Sequence, residues 1–490
     1  MSCSRLCWTL GLCLMSLLAG CATRPVNPPI TQADPNKGYR YTTRQEHATN
    51  KTKENLVILA FSGGGTRAAA FSYGALEALR RIEVVGPKGN KARLLDEVDV
   101  ITGVSGGSFT ALAYGLYGEK LFDIYETAFL KRNVQGEIIG RVLNPGNWGA
   151  LSSTGWGRSE IAAQLYDEIL FHGATFADLD RGSGPFIVAT TTDIATGIRV
   201  GFNQGIFDIL CSDLDAVPLS RAAAASSAVP FALSPVTINN YGGTCHFTLP
   251  PFLAAFSDAE KAPRPAARVL TQTRDLESYE DPNKPYIHLV DGGLSDNLGL
   301  RGVLEALEEL SAVHALGRPT PFDDVKRIVF FVVNSLSVPD THWDDSESPP
   351  NNFVLLIKAT GVPIDHYSYD TVETLRDMIA EWQKMRELRN STAFKANKDP
   401  AIAALLRTPN VELYAIDVSF SKLKDKDERA YLNDLPTSFV LPPEAVDRLR
   451  AAAGRIILDS PDFQRLLKEA GASMVVDLPA APPATAPAAH

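Results

Sequence analysis

Three glycine-rich turns, each placed directly after a short apolar run, constrain this chain more than any other feature. Leu56–Phe61 leads into Ser62-Gly63-Gly64-Gly65-Thr66-Arg67, Val98–Val104 into Ser105-Gly106-Gly107, and Ile287–Val290 into Asp291-Gly292-Gly293. Runs of this length, several of them rich in valine and isoleucine, read as strands covered on both faces; Phe186–Thr191 and Ile328–Val333 read alike. Helical periodicity fills the gaps. Phe71, Ala75, Leu79 and Ile82 follow the first turn at helical spacing, and Leu300, Leu304, Leu307 and Leu310 follow the third. This alternation predicts an α/β sheet with helices on both faces, whose ligands collect at the carboxyl ends of strands. Such a sheet would bring residues 105 and 291 to one rim.

The three turns carry complementary chemistry. In Gly103-Val104-Ser105-Gly106-Gly107 a serine stands on a sharp strand-to-helix turn, where Gly103 and Gly107 let strand and helix pass closely and the hydroxyl projects outward. Gly63, Gly64 and Gly65 allow close backbone approach to a substrate and aim amides at negative charge, with Arg67 adding a positive charge one turn in. Asp291, ahead of Gly292 and Gly293, adds a carboxylate. Nucleophile, base and donors for a developing oxyanion are the parts of a serine hydrolase. A carboxyl near its ordinary pKa of ~4 is a poor base for a hydroxyl, so Asp291 needs desolvation to serve. The first turn also matches a dinucleotide fingerprint, Gly63-x-Gly65-x-x-Ala68 with Glu83 further on. Against that reading, the serine turn follows at once, and Glu83 sits beside Arg80 and Arg81 at what reads as a helix end.

Gly-Gly-Gly-x-Arg, Gly-x-Ser-x-Gly and Asp-Gly-Gly in this order resemble the patatin-like phospholipase family, and Ser226-Ser227-Ala228-Val229-Pro230-Phe231 and Asp296-Asn297-Leu298-Gly299 resemble further blocks of it. The resemblance runs from about Lys53 to Ser335. It implies a three-layer α/β/α fold with a mainly parallel central sheet, and a Ser-Asp dyad with Ser105 as nucleophile, Asp291 as base and the amides around Gly63, Gly64 and Gly65 as oxyanion donors. It also implies acyl esters of lipids or phospholipids as substrates, with no cofactor. One departure is visible: Ala68 stands where the family's first motif usually ends in glycine.

The chain ends carry a different kind of information. Arg5 precedes an apolar stretch from Leu6 to Leu18, followed by Leu18-Ala19-Gly20-Cys21. The stretch is too short to span a bilayer and resembles a bacterial lipoprotein signal, which would make Cys21 the lipidated first residue of the mature chain. Ala22 would, by the same resemblance, favour a Gram-negative outer membrane, facing the periplasm. The expected organisation is a signal peptide at 1–20, a flexible tether at 21–52, the patatin-like domain at 53–340, a C-terminal α/β extension at 341–477 and a disordered Ala/Pro tail at 478–490. Beyond the signal and Cys21 only Cys211 and Cys245 remain, either as a disulfide or as two buried thiols, and neither has a neighbour at metal-ligand spacing. The formal charge of −10 argues against a nucleic-acid partner and gives no attraction to an anionic membrane.

Rival readings attach to other residues. His314, His342 and His366 follow Asp291 in the order that a Ser-His-Asp esterase requires, but none lies in a motif. The segments Leu121–Leu130 and Trp148–Trp156 are apolar enough to line an acyl channel or dip into an interface, and equally suit core or loop packing. Past Ser335, a helix from Tyr369 toward Asn390, a strand at Val411–Phe420 and helices over Glu444–Gly471 are expected to extend the sheet and cover its face. A non-catalytic, lipid-binding lipoprotein on the same fold is the remaining alternative.

Overall fold

The computed structural model describes residues 23–47, 54–86, 89, 91–153, 155–181, 184–248, 274–315, 317–318, 320, 323–338, 345, 347, 350–395, 399 and 409–476. The expected signal segment 1–20, Cys21, His342 and the 478–490 tail lie outside the described residues. Strands run as β1 (Asn55–Phe61), β2 (Ile82–Val85), β3 (Lys91–Arg93), β4 (Val98–Val104), β5 (Phe186–Asp193), β6 (Arg199–Gly201), β7 (Val236–Asn239), β8 (Tyr286–Asp291), β9 (Arg327–Asn334), β10 (Glu412–Ser419) and β11 (Ser473–Val476). Helices that frame the site are α1 (Gly65–Arg81), α2 (Gly106–Tyr117), α3 (Val134–Leu143), α4 (Leu219–Ser226), α5 (Arg301–Ala315), α6 (Asn352–Asn390) and α7 (Pro443–Asp459).

Among the described residues the central sheet has eight strands in the order β10-β9-β1-β4-β5-β8-β7, with β6 paired to β5 off this path. From β10 to β5 every pairing is parallel, while β8 runs antiparallel to β5 and β7 antiparallel to β8. The continuous apolar runs of β1 and β9 follow from cover on both faces. Their alternation sorts them into two cores. Val57, Leu59, Phe61, Phe331 and Val333 face one core shared with α1, α2 and α7, whereas Ile58, Ala60, Phe330 and Val332 face the other, with Leu304 and Leu307 of α5 and Leu375 and Trp382 of α6. The result is the expected three-layer α/β/α arrangement with a mainly parallel sheet.

The residues after 341 extend this core. Strand β10 joins the sheet edge beside β9, and α7 lies on α1 so closely that a side chain at Gly74 would meet the Arg450 carbonyl oxygen at 2.4 Å. Arg450 also pairs with the half-buried Glu77 at 2.9 Å. Helix α6 begins before the expected Tyr369 and runs through Pro363.

The tether expected over 21–52 differs from the structure in its described part. Residues 24–44 form a strap against the domain: the Ile30 and Ala33 amides donate to the carbonyls of Cys211 (2.9 Å) and Cys245 (3.0 Å). Tyr39 is fully buried against Phe176 and Phe186, and Arg44 donates to the Leu179 and Asp180 carbonyls. Backbone pairing of this kind needs no hydrophobic period, which is why the composition reads as a linker. Cys211 and Cys245 form a disulfide with a Cα–Cα distance of 5.4 Å, so the strap is bonded to both halves of it.

Candidate active site

Sheet register brings the serine and the acid together. Val104 on β4 pairs with Thr190 on β5, and Thr191 pairs with Asp291 at the end of β8. Ser105 and Asp291 therefore leave the sheet at one level, two strands apart, even though β8 runs antiparallel to its neighbour. Ser105 has φ 48° and ψ −119°, a left-handed region that costs a non-glycine residue about 1–3 kcal/mol. Its surroundings hold it there: the Ser105 amide donates to Ser226 Oγ at 2.9 Å, and its carbonyl accepts from the Ser108 amide at 3.0 Å and from Ser108 Oγ at 2.6 Å.

Small residues close the turn at three positions. A side chain at Gly103 would meet Ser108 Cα at 2.7 Å, and one at Gly107 would meet the Ser62 carbonyl oxygen at 2.6 Å. The tightest approach belongs to Gly106, where a Cβ would fall 1.9 Å from the Gly65 carbonyl oxygen. Gly106 thus presses the serine turn onto the first glycine turn; a run of two glycines after the serine was the available signal for it.

Asp291 is 7% exposed and Ser105 5%. The Ser105 hydroxyl lies near enough to the Asp291 carboxylate to favour its ionised form, and the Gly293 amide donates to Asp291 Oδ1 at 2.8 Å. Desolvation outweighs both influences and pushes the Asp291 carboxyl from 3.8 up to about 6. That is the direction a carboxylate needs if it is to take a proton from a hydroxyl near neutrality. Gly292 lies so close to β5 that a Cβ would meet the Thr190 carbonyl oxygen at 2.2 Å.

The first glycine turn lies directly before the serine. A Cβ on Gly63 would be 3.4 Å from Ser105 Cβ, and Gly64 and Gly65 have φ of 139° and 61°, conformations that glycine adopts without strain. The three amides are not equivalent. That of Gly63 is spent on the Asn297 carbonyl at 2.9 Å, which leaves those of Gly64 and Gly65 at the start of α1 as the donors of the set. Ala68, the departure from the family motif, is fully buried within α1 and leaves the helix intact.

Arg67 also departs from its expected place in the oxyanion set. Its buried guanidinium donates to the carbonyls of Ser335 (2.8 Å) and Leu435 (2.6 Å) and to Thr437 Oγ1 (3.1 Å). Desolvation lowers its pKa to about 10, against a raising influence from Asp365 of α6. The planar fork is filled by loops that follow β9 and β10, so Arg67 fastens the glycine turn to the C-terminal half of the fold.

Two further residues organise the site without having had a role in the sequence reading. Ser226, at the end of α4, accepts from the Ser105 amide and donates to the Thr190 carbonyl at 2.7 Å, while its carbonyl accepts from the Gly292 amide at 3.3 Å. The Ala228 carbonyl accepts from the Asp291 amide at 3.0 Å. The segment 226–228 is therefore a clamp between the serine and acid turns. Asn297 ties the first turn to the third, since its side-chain Oδ1 would lie 2.5 Å from a Cβ on Gly63 and 3.1 Å from one on Gly293.

The rival residues lie elsewhere. His314 pairs with Asp323 at 3.5 Å, and His366 is exposed on α6; among the described residues no histidine bonds to Ser105 or Asp291. Leu121, Tyr125, Phe129 and Leu130 are core, with Phe129 stacked on Phe109 at 4.6 Å, whereas Trp148 is exposed. Glu83 lies on the short strand β2 and pairs with Lys91 at 2.8 Å, remote from the glycine turn it would serve in a dinucleotide site. Two clefts of about 540 and 520 Å³ flank α6 and β10, and neither is lined by Ser105 or Asp291. Among the described residues no group of His, Cys, Asp and Glu could hold a metal ion, and no helix is long and apolar enough to cross a membrane.

A family model described as patatin-like phospholipase matches residues 59–304, a span that begins within β1 and takes in all three glycine turns. No curated protein matches the chain. Human GIVD cytosolic phospholipase A2 is similar among solved structures, with 13% identity and a TM-score of 0.44 over 92% of this chain and 66% of that one. The same human protein in complex with methyl gamma-linolenyl fluorophosphonate gives 12% identity and a TM-score of 0.38 over 88% and 62%. The chain spans just under two thirds of the length of these structures.

Proposed function

This chain belongs to the patatin-like phospholipase family, and we propose that it is a lipid acyl hydrolase that cleaves carboxylic ester bonds of phospholipids or lysophospholipids through a Ser105–Asp291 dyad. In this reading Asp291 takes the Ser105 proton as Oγ attacks the ester carbonyl. The oxyanion gathers on the Gly64 and Gly65 amides, and the protonated Asp291 then returns its proton to the departing alkoxide. Water, deprotonated by Asp291, attacks the acyl-serine and releases the fatty acid, and the proton passes back to Ser105 Oγ. Each donor to the oxyanion is worth on the order of 3 kcal/mol of barrier.

The observation that carries this reading is the placement of a hydroxyl on a strained turn beside a carboxyl held near 6 by burial. Labelling with a fluorophosphonate tests it. Wild type should be modified at Ser105, and Ser105→Ala and Asp291→Asn should not react; undiminished labelling of Ser105→Ala would refute the assignment.

The export signal and Cys21 further lead us to propose a lipid-anchored protein of the cell envelope, on the periplasmic side of an outer membrane. The segment Leu6–Leu18, the small residues before Cys21 and the Cys211–Cys245 disulfide support this. Incorporation of labelled palmitate that Cys21→Ser abolishes is the expected result, and incorporation that survives the substitution would contradict it.

A further inference from the structure

Resting on the reading of this protein as a lipid hydrolase anchored through Cys21, we propose that the exposed face of α3, together with the turns at Trp148 and Phe231, docks on a phospholipid bilayer. Helix α3 presents Gly136, Ile139, Gly140 and Leu143 to solvent, positions spaced i, i+3, i+4 and i+7 on one face. Gln135, exposed one turn before Ile139, is held at its Oε1 by the Phe439 amide at 3.1 Å. The charges of the helix lie to its side and are paired, Glu137 with Arg132 and Arg141 with Glu168. Gly136 and Gly140 carry no side chain beside the 66% exposed Leu143, so this stretch offers water a surface without polar side chains. They make a flat, apolar one for a partner.

The surface continues across neighbouring turns. Trp148, 59% exposed, follows α3 through one short turn. Phe231, 54% exposed, has φ 71°, a conformation that a bulky residue adopts at a cost and here without a buried ring in return. Ser234, three residues past Phe231, packs on the start of the helix that follows the Trp148 turn: its Oγ accepts from the Ser159 amide at 3.1 Å and would lie 2.2 Å from a Cβ on Gly157. The same region borders the catalytic turns. Gln135 at the start of α3 exchanges bonds with Phe439, beside the Ser438 carbonyl that accepts from Thr66; Phe231 follows the 226–228 clamp.

Arg24 lies on Gly155, where a Cβ would meet Arg24 Cδ at 2.9 Å, and donates to the Thr237 carbonyl at 3.2 Å and to Asn239. Three peptide links separate Arg24 from Cys21, a reach of at most ~11 Å. An acylated Cys21 would therefore hold this side of the domain near the bilayer, because the strap from Arg24 onward is bonded to the domain. A formal charge of −10 means that the contact is apolar insertion and not attraction to anionic head groups.

Flotation of the full mature chain carrying Cys21→Ser with vesicles of phosphatidylethanolamine and phosphatidylglycerol tests the proposal without the acyl anchor. Binding should occur and survive high salt, and Leu143→Ser/Trp148→Ser should lower the partition roughly a hundredfold, about tenfold per large apolar side chain. Failure of the Cys21→Ser chain to float, equal flotation of the double variant, or release by salt would each overturn the proposal. So would a dimer in sedimentation that the double variant dissolves, since the face would then be an interface between copies. Turnover of a water-soluble short-chain ester is read in parallel. Its absence from the wild type defeats the hydrolase reading, whereas the flotation result alone decides the docking surface.

Discussion

Asp291→Asn should make the protein more stable at neutral pH while abolishing its activity. Burial raises the Asp291 carboxyl from 3.8 to about 6, so the native state resists ionising it. The sign follows from linkage: below the unfolded value of ~4 the carboxyl is protonated in both states and costs nothing, and between ~4 and ~6 the unfolded state loses its proton first. Native stability therefore falls through that window, and above ~6 the full penalty of about 3 kcal/mol is present. Asparagine removes the charge but retains an oxygen for the Gly293 amide and gains a donor for Ser105 Oγ. Urea unfolding of wild type and variant should show the variant more stable by up to about 3 kcal/mol near pH 7, and the two should converge near pH 4. The wild-type kcat/KM on a soluble ester should rise with pH, with a limb near pH 6, the mirror image of the stability loss. A variant less stable than wild type at neutral pH, with the same deficit near pH 4, would refute the claim that desolvation tunes this acid.

Ser226→Ala removes the acceptor of the buried Ser105 amide and should cost on the order of 1–3 kcal/mol of stability. The kcat on a soluble ester should fall as the serine turn loosens, with KM little changed. Gly106→Ala drives a methyl group into the Gly65 carbonyl and should abolish fluorophosphonate labelling even where circular dichroism shows a folded protein. Arg67→Lys replaces a fork that meets three acceptors with a single ammonium and should lower Tm, read by differential scanning calorimetry. Reducing Cys211–Cys245, which closes a loop across a separation of 34, should cost ~4 kcal/mol and accelerate amide exchange at Ile30 and Ala33.

The α/β layers and the strands were legible because each rests on local signals: uninterrupted apolar runs, glycine at turns, a helical period after each turn; the shared rim of Ser105 and Asp291 followed from both turns closing strands of one sheet. What escaped was held by contacts between distant residues. The Gly63 amide and the Arg67 guanidinium read as free donors from their neighbours in sequence, yet Asn297 and the 335 and 435–437 loops use them. The strap is bonded through backbone groups that any sequence possesses, so polar, proline-bearing residues concealed it. The antiparallel sense of β8 depends on the path of the chain between β7 and β8 and not on the residues of the strand, and the pairing of Cys211 with Cys245 depends on the same packing.

Trapping the acyl-enzyme from a phospholipid tests the central claim most directly. Acid quench during turnover, followed by peptide mass analysis, should find the fatty acyl group on the peptide containing Ser105 in the wild type and on no peptide of Ser105→Ala or Asp291→Asn. Acyl transfer to another side chain, or undiminished phospholipid hydrolysis by Ser105→Ala, would contradict it.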